Sequence, residues 1–391
     1  LTIEGRRSAF ADELHNMSVI SDGSDWPTAV AAIIRRGGLV LVLGAPDTGK
    51  TTFCRDLANS AVQSGAVAAI VDADIGQSEI GPPACVSFAV VSEPVRRLGD
   101  LKVAASAFVG SVAPQWALTE HLAATTRVIA AAKRTQPDIV ICDTTGYADA
   151  PWSARLKRAK IEALDPDQVV FLRRERAGRA IGTVRTDRPN ARCSEPLVRS
   201  LTCSERPATL TLGVPDFIVP KPPALRAQRR AWSFSRALNG AVARTWQIED
   251  LVLEGTWLGT GSPLQQAALA QFGKEARAEL RYAELSGRSL AVLTASQPDR
   301  DAVLLAARRL YGASAVTVTL AAWLDGLLVG LHDDRRTLLG IGLIAGFDER
   351  RLTITILTAT HAYATTRCVR FGLARLRPNG HVTGVVRPGD V

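Results

Sequence analysis

The chain has 391 residues, 47% of them hydrophobic and 22% charged, with a formal net charge of +9. That is length enough for two domains and apolar content enough for a folded core. No stretch of 18 or more apolar residues is free of charge, so a membrane span is not expected.

The basic excess admits an anionic partner such as nucleic acid. It is spread along the chain, however, and rests on 40 arginines against 7 lysines, a ratio that GC-rich codons produce equally well. The six cysteines form no CxxC pair; Cys54, Cys85 and Cys142 sit in apolar contexts and read as buried thiols, which points away from zinc and from a disulfide framework. The start of the sequence lacks a charged-then-apolar signal pattern, and a cytoplasmic protein is expected.

In chain order, residues 1–26 read as a polar lead-in running into helical periodicity over 27–36. Residues 39–43 (LVLVL) are an apolar run of strand length, and 50–63 carry Phe53, Leu57 and Val62 at roughly helical spacing. Further strands are expected at 67–72, 84–91, 103–109, 138–143 and 168–172, with a long helix across 116–134. Strands separated by helices, with charged residues or glycine at their C-terminal ends, predict an α/β domain over 27–215 with a mainly parallel sheet covered on both faces. Residues 173–206 are dense in arginine and poor in apolar periodicity, which suggests a lid beside an active site or, more blandly, a solvated helix and loop.

The stretch 215–230 (PDFIVPKPPALRAQRR) reads as a proline-marked linker into a smaller β-rich domain over 216–391. Strands are expected there at 246–258, 289–294, 315–320 and 325–331, helices at 263–280 and 299–311, and an all-β pattern over 337–388.

Chemistry concentrates in the first domain. Residues 44–51 read GAPDTGKT, a complete GxxxxGK[ST] loop between a strand and a helix N-terminus. Gly44 and Gly49 permit backbone conformations closed to other residues, so the amides of Ala45, Pro46's neighbour Asp47, Thr48, Gly49 and the first helical residues through Thr52 can turn toward nucleotide phosphates. Lys50 then reaches the β- and γ-phosphates, and the Thr51 hydroxyl ligates Mg²⁺. Asp72 and Asp74 stand just past the second strand and Asp143 ends another, which brings all three toward the phosphates as candidate magnesium or catalytic carboxylates. Any one of them can instead cap a helix or fold back on a turn.

Four segments together resemble one family. The phosphate loop, DxGQ followed by PP (Asp74, Gly76, Gln77, Pro82, Pro83), FVGSVAP over 108–114 and DTTGY over 143–147 are similar to the Clp1/Grc3 family of polynucleotide 5′-hydroxyl kinases. The likeness covers about 27–210 and extends more weakly to LLVGLHDDRRTLLGIGLI at 327–344. It implies transfer of the γ-phosphate of ATP or GTP to 5′-OH ends of RNA or DNA. It also implies Asp74 as general base, Gln77 near the hydroxyl or the metal waters, and Thr144, Gly146 and Tyr147 as a clasp on the terminal nucleotide. Arg199, followed by Ser200, matches a lid arginine.

Two departures stand out. The clasp aromatic is Tyr147 where eukaryotic relatives carry Trp, and Arg206, the nearest second lid arginine, is spaced further along than the family pattern. Two other classes remain open: a nucleotide-binding interaction subunit of an RNA-processing assembly, and an ATPase or GTPase switch whose turnover ignores 5′-OH ends.

Overall fold

Leu39, Leu41 and Leu43 alternate with Val40 and Val42 along β1 (Gly38–Gly44), and all five are essentially without solvent contact. A strand apolar on both faces belongs in the middle of a covered parallel sheet. In the computed structural model, which describes residues 26–146, 151–174 and 207–391, β1 is that strand. It pairs in parallel with β5 (Ile139–Thr144) and with β6 (Gln168–Arg173). The sheet continues through β2 (Ala68–Ala73), β3 (Cys85–Val91) and β4 (Ala105–Phe108) on one flank and β7 (Ala208–Gly213) on the other, in the order β4-β3-β2-β5-β1-β6-β7. The pair β2–β3 is antiparallel, whereas β2–β5 and β6–β7 are parallel.

Helices cover the two faces. Val40 and Val42 join a core beneath α1 (Trp26–Arg36) and α2 (Lys50–Gln63), which contribute Ala29, Ile33, Phe53, Leu57 and Ala61 at helical spacing. α3 (Leu118–Lys133) packs on β3 and β2 and against α4 (Pro151–Leu164). Cys54, Cys85 and Cys142 are buried free thiols, as expected from their neighbours.

The chain divides into two compact units. The first holds this sheet, and the second comprises residues 227–391 together with Pro82–Ala84 and Phe108–Ala117. The stretch 215–230, expected as a linker, is irregular only as far as Pro222, after which α5 runs from Pro223 to Ala237.

Within the second unit, one sheet has the order β18-β17-β14-β15-β16-β8. Its strands are β8 (Val242–Gln247), β14 (Leu327–His332), β15 (Leu338–Asp348), β16 (Thr353–Thr358), β17 (Cys368–Leu376) and β18 (Val382–Val385), with β9 (Val252–Glu254) beside β17. A smaller sheet of β10 (Ser262–Pro263), β11 (Leu280–Ser286), β12 (Ser289–Thr294) and β13 (Ala315–Leu320) packs with α6 (Gln266–Ala276) and α7 (Arg300–Tyr311). The segment Phe108–Ala117 lies against β17: the Gly110 carbonyl accepts the amides of Leu373 at 2.7 Å and Ala374 at 3.1 Å, and Gly110 and Gly372 meet backbone to backbone. No described helix is long and apolar enough to cross a membrane.

Candidate active site

The GAPDTGKT loop leaves the C-terminal end of β1 and enters α2 through Gly49, whose φ of 81° is the left-handed conformation that glycine adopts without strain. The turn is internally braced. The Ala45 carbonyl accepts Thr48 Oγ1 at 2.9 Å and Lys50 Nζ at 2.8 Å, so the buried ammonium of Lys50 curls over the loop that surrounds the phosphate position. Gly44 has no room for a side chain, since a Cβ there would lie 2.8 Å from the Leu172 carbonyl oxygen.

On the β5 side of the loop, Thr51 Oγ1 donates to Asp143 Oδ2 at 2.6 Å. The other Asp143 oxygen, Oδ1, is buried and receives no hydrogen bond from the described residues. A hydroxyl joined to a carboxylate that has an orphaned oxygen suits a hard divalent cation. No group of three or more His, Cys, Asp or Glu among the described residues is placed to cage a metal. Thr51 and Asp143 therefore fit magnesium.

Asp72, expected as a further metal ligand, braces the loop that follows β2. It sits opposite Asp143 in the β2–β5 register, but its Oδ2 accepts the amides of Glu79 at 2.6 Å and Ile80 at 2.9 Å and the Ser78 hydroxyl at 3.2 Å. Its Oδ1 accepts the Asp74 amide at 3.0 Å. Asp72 is the turn-folding carboxylate of the DADIGQSEI loop, with three donors on Oδ2 and one on Oδ1.

That fold of the loop presents Asp74. Asp74 Oδ1 accepts the amides of Gly76 at 3.1 Å and Gln77 at 3.3 Å, while Oδ2 takes no hydrogen bond from the described residues. Burial lifts this carboxyl above its ordinary range, opposed by Lys50, by the two amides and by Lys160. Gln77 turns its amide to the Gly76 carbonyl at 2.8 Å and the Arg226 carbonyl at 3.0 Å.

Of the expected clasp, Thr144 is buried and donates to the Val42 carbonyl at 2.7 Å, stitching β5 to β1. Gly146 lies against the phosphate loop: a Cβ there would be 2.8 Å from Pro46 Cα and 3.2 Å from Lys50 Nζ. Tyr147, Arg199 and Arg206 lie outside the described residues.

Sequence reading missed four contributors. Arg226 pairs with Asp47, Nη1 to Oδ2 at 2.6 Å, and Arg174, noticed only as part of a basic run, donates to the Asp47 carbonyl at 3.0 Å. Behind the end of β2, His121 Nε2 lies 2.9 Å from the Ala73 carbonyl oxygen and 3.3 Å from Lys160 Nζ, with both side chains fully enclosed. A carbonyl only accepts, so the Nε2 that faces it carries a proton, and burial, with Lys160 beside it, holds the imidazole's pKa well below the ordinary value.

Known proteins are similar to this chain. The family described as mRNA cleavage and polyadenylation factor CLP1 P-loop matches residues 44–192. The polyribonucleotide 5′-hydroxyl-kinase of Pyrococcus furiosus is 28% identical over 367 residues, which is 94% of this chain and 96% of that protein. The polyribonucleotide 5′-hydroxyl-kinase of Methanocaldococcus jannaschii is 26% identical, covering 89% of each chain. Clp1p in its complex with Pcf11p has a similar fold, with a TM-score of 0.56 at 14% identity over 90% of this chain and 79% of that one. With a CLP1-type P-loop match over residues 44–192 and relatives aligned along nearly its whole length, the chain is similar to the Clp1/Grc3 family.

Proposed function

We propose that this protein is a polynucleotide 5′-hydroxyl kinase that transfers the γ-phosphoryl group of ATP or GTP to a 5′-OH end of RNA or DNA. The observation that carries this reading is the Asp74 carboxylate. It is held through Oδ1 by the Gly76 and Gln77 amides at the end of β2, with Oδ2 taking no hydrogen bond from the described residues, on the flank of the phosphate loop that also carries Asp143. A nucleotide switch has no need of a second carboxylate presented in this way, whereas an alcohol acceptor needs a proton sink.

In this mechanism the loop amides and Lys50 hold the triphosphate, and Lys50 offsets negative charge growing between the β- and γ-phosphates. The acceptor 5′-oxygen attacks the γ-phosphorus, the bond from that phosphorus to the β–γ bridging oxygen breaks, and the hydroxyl proton passes to Asp74 Oδ2. Magnesium, held by Thr51 and Asp143, would supply charge neutralisation on the β- and γ-oxygens. Asp74 needs placement more than a large pKa change, because the proton moves late as the phosphoryl group arrives. Gly146 keeps the β5 loop flush with Pro46 and Lys50, where any side chain would push the phosphate loop aside.

The test is transfer of labelled γ-phosphate to matched 5′-OH RNA and DNA oligonucleotides, with 5′-phosphorylated oligonucleotides as controls. Lys50→Ala is expected to abolish transfer, and Asp74→Asn to lower kcat by about 10²-fold or more with nucleotide affinity little changed. Full turnover by D74N at saturating acceptor would remove Asp74 from the mechanism. Triphosphate hydrolysis indifferent to 5′-OH ends would favour the switch instead.

A further inference from the structure

We propose that Phe217 is the platform on which the purine base of the phosphate donor stacks, a reading that rests on the phosphate loop binding a nucleoside triphosphate.

The loop 214–222, which follows β7, is bound to the phosphate loop at three points. Ile218 lies over Gly49, its Cδ1 and Cγ1 each 3.1 Å from where a Cβ would stand. The Arg174 guanidinium bridges the two loops, with Nη2 donating to the Ile218 carbonyl at 2.6 Å and to the Asp47 carbonyl at 3.0 Å. Arg226 Nη1 joins Asp47 Oδ2 at 2.6 Å to the Lys221 carbonyl at 3.2 Å. Within this tethered loop a turn from Pro215 to Ile218 projects Phe217, which is 69% exposed. The ring's one aromatic neighbour among the described residues is Trp26, met edge-on at 6.4 Å and 76°, which sets its orientation and leaves most of it in solvent. A large apolar ring held in water by a braced loop is poised for a partner with a flat face.

The direction of the nucleotide identifies that partner. Asp143 and Asp74 mark the γ-phosphate end, on β5 and β2 to one side of β1, whereas β6 and β7 lie on the other side. A triphosphate seated with its γ-phosphate toward the carboxylates runs its nucleoside toward the β6–β7 flank, where Phe217 stands. The acceptor's terminal nucleotide belongs at the opposite end, beside Asp74. Stacking engages a π-face that adenine and guanine share, so ATP and GTP gain alike.

The experiment measures equilibrium binding of ATP, GTP and inorganic tripolyphosphate to the full chain, with thermal melts as a folding control. Phe217→Ala is expected to weaken ATP and GTP by a similar factor, about 10-fold, and to leave tripolyphosphate unchanged. Phe217→Leu, which keeps bulk against Trp26 but has no ring, should lose as much, and Phe217→Trp should retain affinity.

Equal ATP affinity in wild type and F217A would overturn the proposal. So would a matching loss for tripolyphosphate, or an effect confined to the oligonucleotide KM. Binding needs no acceptor, so the two readings fail separately. Ring-dependent ATP binding without transfer to a 5′-OH sinks only the kinase assignment, and transfer with F217A binding ATP like wild type sinks only the platform.

Discussion

Asp143 and Asp72 stand opposite one another on adjacent strands, and both are enclosed. Burial lifts the Asp143 carboxyl to about 7, with Lys50 and the Thr51 hydroxyl pulling it down and Asp74 and Glu79 adding to the rise. Burial and the facing Asp143 lift Asp72 to about 8, against the Ile80 and Glu79 amides. The folded chain thus holds protons that the unfolded chain has released, over a window from about pH 4 to about pH 8, and its stability falls as pH rises through that window. Without nucleotide and magnesium, Asp143→Asn should be more stable than wild type at pH 8, by on the order of 2–4 kcal/mol, with little difference at pH 4. Urea denaturation at the two pH values measures this, and a variant no more stable than wild type at pH 8 contradicts it. Magnesium with nucleotide should then stabilise wild type at pH 8 more than the variant, because the charge that costs the empty site is the one the cation uses.

α4 shows the same exchange of stability for charge on the scale of a helix. Its enclosed positions include Lys157 and Lys160 beside Leu156, Ile161 and Leu164. Burial pushes the Lys160 ammonium down to about 8, opposed by Cys142, Asp74 and Asp143. The unfolded chain binds the extra proton between about pH 8 and pH 10.5, so below pH 8 the folded chain bears the whole cost of an enclosed ammonium. Lys160→Met should therefore raise stability at pH 7 by on the order of 1–3 kcal/mol, and by removing a positive charge near Asp74 it should move the acid limb of the kcat profile to higher pH. A melt and a pH profile together test this, since a purely structural lysine would leave the limb where it is. Those lysines also explain why α4 was not legible in the sequence: an apolar pattern interrupted by lysine on the inner face does not read as an inner face. β7 (ATLTLG) was hidden by half-exposed alternation at a sheet edge, next to an arginine-rich run. α5 was taken for linker because Pro223 sits among prolines, although proline at the first helical position begins a helix. The helix expected over 263–280 stops at Ala276, where Arg277 takes a left-handed φ of 52° before β11 begins. β1, the phosphate loop and α2 were legible because buried strand, glycine turn and helix face each follow a local rule. Lys50, Thr51, Asp74 and Asp143 followed from those elements. The inward roles of Asp72 and Thr144 did not, because the direction of a side chain at a strand end depends on the loop that follows. Nor did Arg226, which meets Asp47 across 179 residues of sequence.

At the scale of the whole molecule, sequence order and compact unit do not coincide. The second unit takes Pro82–Ala84 and Phe108–Ala117 from the middle of the stretch that otherwise builds the first. The Gly110 carbonyl serves two amides of β17, and Phe108 meets the His332 ring edge-on at 6.5 Å. A fragment of residues 227–391 alone lacks both segments and should unfold without a sharp cooperative transition, whereas adding a peptide of residues 105–117 should restore part of it. A fragment that melts as cooperatively as the full chain would show those contacts to be dispensable. The Gly110–Gly372 contact also bears on synthesis. Gly110 leaves the ribosome about 260 residues before Gly372, which at about 5–20 residues per second is a delay of roughly 10–50 s. Throughout that interval the Gly110 carbonyl lacks the β17 amides that it accepts in the finished protein, and Phe108, Val109 and Val112 are without part of the compact unit in which they are buried. The nascent chain therefore carries an unprotected apolar strip through most of its own translation, which makes it a natural client for chaperones that hold emerging polypeptides.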